Sequence, residues 1–318
     1  MMKISIAILA AALAFLSSCN KDDSSGSQSN KYVKGKNRFL MNIDGDDREY
    51  FVHVPSGYTG LSQTPIVFML HGTNGNGEDF YTNSGWKEVG ETENIITVFP
   101  SSWKYCIVED GQQRPSTEKW NAQPAGWVPC TGEKLRDDIK FFNSIITELN
   151  SKFNVNNKRI YLVGFSNGGA MACKCSYEMS DKFAAIVESA AALFGQQPNL
   201  LRKLPVLFQR GNEDYGPGGS GPTAPMNSLP FLLTDSNTTL LQGHLYKFAQ
   251  TSVFHFGLNP NFTISGDTNT IVRATYVSNS PNEPLNVYTV ALIKGLKHSY
   301  PIGAASQNWS WLKQYNLP

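Results

Sequence analysis

Three residues of this chain have the type, order and local context for nucleophilic acyl transfer. Ser166 sits in Gly164-Phe165-Ser166-Asn167-Gly168, which follows the apolar run Arg159-Ile160-Tyr161-Leu162-Val163 and precedes a helix-compatible stretch. A strand that turns sharply into a helix lifts a serine clear of a sheet, and flanking glycines relieve the crowding of that turn. A serine hydroxyl is a weak nucleophile until a base takes its proton, and the base needs an acid to fix its tautomer. When the nucleophile lies on such a turn, the partners follow in the order Ser, Asp or Glu, His, which excludes His53 and His71 as the base. His244 and His255 fall in a long helical or loop stretch. His298, in Gly295-Leu296-Lys297-His298-Ser299-Tyr300-Pro301, follows the last expected strand and is the candidate base. Asp214, after an apolar strand in Gln209-Arg210-Gly211-Asn212-Glu213-Asp214, is the candidate acid, with Glu213 as its competitor.

A negative charge developing on a carbonyl oxygen needs fixed donors. The expected strand 65–70 ends in His71-Gly72-Thr73-Asn74-Gly75-Asn76-Gly77, a loop able to aim a backbone N–H into the site. Thr73 N–H and Asn167 N–H, the latter opening the next helix, are the candidate oxyanion donors. Phosphate cradling is the rival use of a glycine-rich loop, but no Lys-Ser or Lys-Thr follows it. His71 reads as a structural residue bonded to neighbouring loops. No CxxC pair or His-rich cluster points to a metal, and no cofactor is expected.

The elements that must position these groups alternate between strand-like and amphipathic runs, which argues an α/β fold. Residues 39–43 and 50–54, joined through Asp44-Gly45-Asp46, read as an antiparallel hairpin. Segments 65–70, 95–99, 160–163, 184–187, 206–208 and 287–293 are continuously apolar and read as strands covered on both faces. Residues 134–153 carry Leu135, Ile139, Phe142, Ile145, Ile146 and Leu149 on one helical face. Residues 171–179 and 308–315 read as further helices, and 215–280 reads as a lid or cap rather than sheet. Residues 36–318 suffice for one large domain with a full core.

A net charge of +1 gives no indication of nucleic acid or of an anionic surface as partner. The N-terminus has Lys3, a mainly apolar run over 4–15 and then Leu16-Ser17-Ser18-Cys19, a secretory signal too short to span a membrane. The small residues before Cys19 resemble a bacterial lipobox. That implies removal of residues 1–18, a lipid on Cys19 and a flexible tether over 19–35. Asn20-Lys21-Asp22-Asp23 resembles the acidic export tag of surface lipoproteins in Bacteroidetes-type bacteria, with a solvated linker as the competing reading. The expected location is the outer membrane or cell surface. An exported protein can oxidise its thiols. Cys106 and Cys130 bracket a polar, Trp-containing loop and are expected to form a disulfide, whereas Cys173 and Cys175 point apart on a helix.

Taken together, Leu70-His71-Gly72, Ser84-Gly85-Trp86, Trp120-Asn121, Arg136-Asp137-Asp138-Ile139, the run 159–172 and Phe183-Ala184-Ala185-Ile186 resemble a known family. It is the polyhydroxybutyrate depolymerase and feruloyl esterase type of secreted α/β-hydrolase, and the resemblance covers residues 48–301. It implies an α/β-hydrolase fold, a mostly parallel sheet with helices on both faces, and a triad of Ser166, Asp214 and His298. The implied activity is serine ester hydrolysis, first on feruloyl or acetyl groups of plant or algal polysaccharide. Hydroxyalkanoate polyester is the alternative. A non-catalytic carbohydrate-binding lipoprotein and a serine peptidase are the readings from other classes. The chain departs from the family pattern in carrying Tyr300 where a tryptophan is usual, and in the length of the stretch between Asp214 and His298. Trp86, Trp120, Trp127 and Tyr300 are candidates to line an aromatic-binding cleft, with core packing as the competing role for at least two of the tryptophans.

Overall fold

The alternating residues at the start of the domain fold back at Asp44 and Gly45, which both have positive φ (54° and 94°), the two-residue turn whose twist matches a hairpin. It joins β1 (Gly35–Ile43) to β2 (Asp46–Val54). The structure, a computed structural model, describes residues 32–123, 126–191 and 200–318. The expected signal, Cys19 and most of the tether therefore lie outside the described residues. The chain continues through β3 (Thr64–Leu70), α1 (Gly77–Asn83), α2 (Trp86–Glu93) and β4 (Ile96–Pro100). A small separate sheet follows, with β5 (Trp103–Glu109), β6 (Gln112–Lys119) and β7 (Trp127–Pro129) in the order β6-β5-β7. Then come α3 (Asp138–Lys152), β8 (Val155–Phe165), α4 (Asn167–Glu178), β9 (Ala185–Ser189) and β10 (Val206–Gly211). The last part holds α5 (Leu229–Thr234), α6 (His244–Phe256), β11 (Leu258–Asp267), β12 (Ile271–Ser278), β13 (Val287–Ile293) and α7 (Ala304–Leu312).

Ten strands form the central sheet in the order β1-β2-β4-β3-β8-β9-β10-β13-β12-β11. The six from β4 to β13 in this order run parallel, and both margins are antiparallel. The inner strands read as unbroken apolar runs because helices cover both faces. On one face Phe142 and Ile145 of α3, Met171 of α4 and Phe248 of α6 pack against Phe68, Leu162 and Phe208. On the other, Trp86 and Val89 of α2 and Trp309 of α7 meet Val67, Tyr161 and Val163.

The helix expected over 134–153 starts only at Asp138, because Asp137 accepts the Lys140 backbone N–H at 2.9 Å and ends the irregular approach there. Leu135 leaves the helical face and packs against the small sheet. Asp138 has its own use: buried, it accepts from Arg48 Nη2 at 2.7 Å and from Asn121 N–H at 2.7 Å. This ties β2 to α3 and to the stretch after β6.

The reading of 215–280 as free of sheet is corrected. Its second half is the β11–β12 hairpin, which pairs through β12 with β13 and extends the central sheet. The polar composition misled because β11 is a margin strand with mostly exposed side chains. The expected disulfide joins Cys106 to Cys130 and holds β5 beside the segment after β7.

Candidate active site

Ser166 follows the last residue of β8 and opens α4 with φ 54° and ψ −117°. Its N–H donates to Ser189 O at 2.9 Å, which fixes the turn against β9. The turn leaves no room beside it. A Cβ on Gly164 would lie 2.0 Å from Gly168 O, and one on Gly168 would lie 2.4 Å from His71 O. Glycine at both positions is thus required by the close approach of β8, α4 and the loop after β3. A non-glycine residue with positive φ costs about 1 kcal/mol or more, so the packing around Ser166 must hold it there.

His298, in the loop after β13, lies with Nε2 2.9 Å from Ser166 Oγ and Nδ1 3.0 Å from Asp214 Oδ1. An ionised Asp214 can only accept, so it fixes the proton on Nδ1 and leaves Nε2 facing the hydroxyl. The Phe165 ring packs at 5.1 Å from the imidazole. Asp214 is fully buried in the turn after β10 and also accepts the Gly216 N–H at 2.9 Å. Burial alone would raise its pKa. The His298 hydrogen bond, the nearby Arg210 charge and the Gly216 N–H outweigh that and hold the carboxyl below its ordinary value. Glu213 is partly exposed, and its N–H donates to Leu296 O at 3.1 Å. Asn212 links the two loops: its Oδ1 accepts from Gly295 N–H at 2.7 Å and its Nδ2 donates to Ala224 O at 2.9 Å. Sequence reasoning assigned Asn212 no role, since its partners are remote in the chain.

Thr73 and Asn167 both line the cavity that holds Ser166. The loop carrying Thr73 lies tight against the serine, because a Cβ on Gly72 would meet Ser166 Cβ at 3.2 Å. The Asn167 side chain accepts Trp120 N–H at 2.6 Å, which braces the start of α4. His71 is wholly buried. Its Nδ1 donates to Gly72 O at 2.7 Å and its Nε2 accepts Ser102 N–H at 3.0 Å, so the ring is neutral. Burial pushes its pKa down to about 4.

The aromatic cleft needs correction. Trp86 and Trp120 are 0% exposed and Trp127 2%, and all three are core residues. Trp86 Nε1 donates to the Tyr300 hydroxyl at 2.9 Å, and Trp120 Nε1 donates to His71 O at 2.9 Å. Tyr300 also accepts from Asn308 Nδ2 at 3.0 Å. The polar atoms of Trp86, Trp120 and Tyr300 bond inside the protein, and these rings lie behind the loops that carry His71 and His298.

The cavity measures about 320 Å³. Ala170, Ala190 and Ala191 give it small apolar surfaces near Ser166, while Glu109, Lys119, Arg210, Gln242 and His244 supply polar ones. Glu109 and Lys119 form an ion pair at the ends of β5 and β6, with the Lys119 ammonium 5.5 Å from the centre of the Trp127 ring. Arg210 donates through Nε to Asp214 O at 3.1 Å. Glu109, Lys119, Gln242 and His244 were missed because no local signal brings the small sheet and the start of α6 to the serine. The alternation of buried Tyr105 and Ile107 in β5 is the one cue available.

Among the described residues no group of three or more acidic, histidine or cysteine side chains could hold a metal. The chain resembles solved structures of low sequence identity and shares their α/β-hydrolase fold. An acetyl xylan esterase from Aspergillus awamori superposes with a TM-score of 0.55 at 15% identity, covering 87% of this chain and 99% of that one. The poly(3-hydroxybutyrate) depolymerase LpqC from Bordetella parapertussis gives 0.52 at 15% identity, covering 89% and 90%. In sequence, feruloyl esterase B from Piromyces equi is 27% identical over 281 residues, which is 85% of this chain and 46% of that protein. The bifunctional acetylxylan esterase/xylanase XynS20E from Neocallimastix patriciarum is 26% identical over 171 residues, covering 54% of this chain and 22% of that protein. The chain thus spans less than half the length of these two relatives. The model of the family described as “Putative esterase” matches residues 42–215, which run from β1 to the residue after Asp214 and make up more than half of the whole sequence, and the chain belongs to this esterase family.

Proposed function

We propose that the chain is a serine carboxylic-ester hydrolase whose nucleophile, base and acid are Ser166, His298 and Asp214. The observation that carries this reading is the continuous contact from Ser166 Oγ through the imidazole to a buried carboxylate held ionised. Ser166 Oγ attacks the ester carbonyl carbon as His298 Nε2 takes its proton, and Thr73 N–H and Asn167 N–H receive the oxyanion. The C–O bond to the alcohol breaks as His298 returns the proton to the leaving oxygen. Water, deprotonated by the same nitrogen, then attacks the acyl-serine and releases the acid and Ser166.

The substrate reading is an acetyl or feruloyl ester on plant or algal polysaccharide, with polyester as the alternative. The polar side chains lining the cavity, Glu109, Lys119, Arg210, Gln242 and His244, fit a hydroxylated alcohol better than an aliphatic chain. Relatives named as feruloyl and acetylxylan esterases support the same direction. Residues 1–18 are read as a signal and 19–35 as a lipidated Cys19 with its tether, which would place the enzyme at a bacterial surface, where such polymers are met.

The test is hydrolysis of p-nitrophenyl acetate, methyl ferulate, acetylated xylan and a hydroxybutyrate oligomer, beside Ser166→Ala. Turnover that falls by about 10⁴-fold or more in the variant is the expected result. Turnover that survives it, or none on any ester, would refute the reading. A best rate on the hydroxybutyrate oligomer would select the polyester alternative.

A further inference from the structure

The segment leading into α6 has a backbone that its sequence does not favour. Leu241 (φ 53°, ψ 27°), Gln242 (φ 57°, ψ 28°) and Gly243 (φ 62°, ψ 13°) are three successive left-handed residues, and only the third is a glycine. L-residues visit this region singly and at a cost, so a run that includes two side-chain-bearing residues persists only where the surroundings impose it. Leu241 is fully buried and anchors the run in the core, while Gln242 and His244 emerge at the cavity that holds Ser166 and His298. Such strain, kept beside a reactive serine, points to a task for the two side chains.

Their chemistry defines the task. His244 Nε2 lies 3.0 Å from Gln242 Oε1, an atom that only accepts, so Nε2 carries the proton. Burial, together with the charges of Arg210 and Lys247, pushes the His244 pKa down to about 4, and the ring is neutral at neutral pH. A neutral ring protonated on Nε2 keeps Nδ1 as an acceptor, and the Gln242 amide keeps two N–H donors. Donor and acceptor are thus offered together, without net charge. A hydroxyl group, which both gives and takes a hydrogen bond, matches such a pair; a carboxylate lacks the donor and a methylene lacks both.

We propose that Gln242 and His244 are specificity-determining residues that read a free hydroxyl on the alcohol portion of the ester, so that the preferred leaving group is a hydroxylated ring of the sugar type. The inference rests on the esterase reading given above. A site built to bond a hydroxyl discriminates against an analogue that lacks it, because its own polar groups are then left unpaired.

The experiment compares two acetate esters of the same ring size, a mono-acetylated methyl β-xyloside and tetrahydropyran-4-yl acetate, which has no free hydroxyl. Purified full-length protein, Gln242→Gly and His244→Phe are assayed on both. The wild type is expected to prefer the xyloside by about tenfold or more in kcat/KM, and each variant is expected to bring that ratio at least fivefold closer to one. Gln242→Gly removes the amide and also relieves the left-handed strain, so its thermal midpoint should not fall below that of the wild type. Lost preference in this variant therefore cannot come from misfolding. A ratio that stays within twofold of wild type in both variants, or a wild type without preference, overturns the proposal. Turnover of p-nitrophenyl acetate that depends on Ser166 tests the esterase reading by itself. If that turnover is missing, both readings fall; if it is present and the ratio does not move, only the hydroxyl pair does.

Discussion

Protonation at two buried side chains near the site pulls stability in opposite directions. His71 is neutral in the fold with its pKa pushed down to about 4, so an unfolded chain takes up its proton first as pH falls below 6.5. Its contribution is complete above pH 6.5 and shrinks by about 1.4 kcal/mol per pH unit between 6.5 and 4. His244 acts in the same direction. Glu188, fully buried on β9 with the Tyr288 hydroxyl 3.4 Å from Oε2, has its pKa raised by burial to about 8. It keeps its proton longer than the unfolded chain does, so its contribution is complete below pH 4.5 and is lost as pH rises toward 8. We expect Glu188→Gln to remove the decline in stability between pH 6.5 and 8, and His71→Gln to remove most of the gain in stability on raising pH from 4.5 to 6.5. Urea midpoints measured at four pH values would decide it, and a Glu188→Gln protein that still weakens above pH 6.5 would show that the proton sits elsewhere. For the acid of the site, Asp214→Asn should lower kcat on p-nitrophenyl acetate by about 10⁴-fold while Glu213→Gln stays within about twofold. Ser166, Asp214 and His298 were legible in the sequence because each sits in its own short motif in a fixed order. Gln242, His244, Glu109 and Lys119 were not, since their approach to the serine depends on how two remote segments fold over it.

The turn that carries the serine is where strand, helix and loop meet most closely. Gly168→Ala would drive a Cβ to 2.4 Å from His71 O and 2.6 Å from Leu70 O, both backbone atoms that cannot step aside. We expect it to destabilise the protein by about 3 kcal/mol or more, seen as a large fall in the thermal midpoint or as insoluble protein. The disulfide acts on a different element. Cys106 and Cys130 are 24 residues apart and close a loop across the small sheet, which on chain entropy is worth about 3 kcal/mol. The double variant Cys106→Ser, Cys130→Ser should therefore melt several degrees lower, as read by calorimetry. It should also lower kcat/KM on polysaccharide esters more than on p-nitrophenyl acetate, because β5 and β6 carry Glu109 and Lys119 to the cavity. The buried parallel strands and the first hairpin could be read from apolar runs and from Asp44-Gly45. The small sheet could not, since β6, with five of its eight residues exposed, offers little apolar periodicity. The β11–β12 hairpin was hidden for the same reason.

At the scale of the whole molecule, the reading of the N-terminus predicts where the protein is found. If Cys19 bears the lipid, Cys19→Ser should move the protein from the membrane pellet to the soluble fraction of the producing bacterium and abolish its labelling by a fatty-acid probe. Labelling that survives the substitution would locate the lipid elsewhere.

The cavity itself divides into two kinds of surface. Ser166, Asp214 and His298 stand at the carboxyl ends of β8, β10 and β13, three strands of the parallel core. Glu109 and Lys119 come from a separate sheet stapled by its own disulfide, and Gln242 and His244 from a segment outside the central strands. Substitutions in these walls leave the register of the core strands untouched. If the three core-borne residues are the reactive groups and the walls select the ester, as proposed, the two can change at different rates over generations, and a lineage could acquire a new ester by altering the walls alone while inheriting the same chemistry.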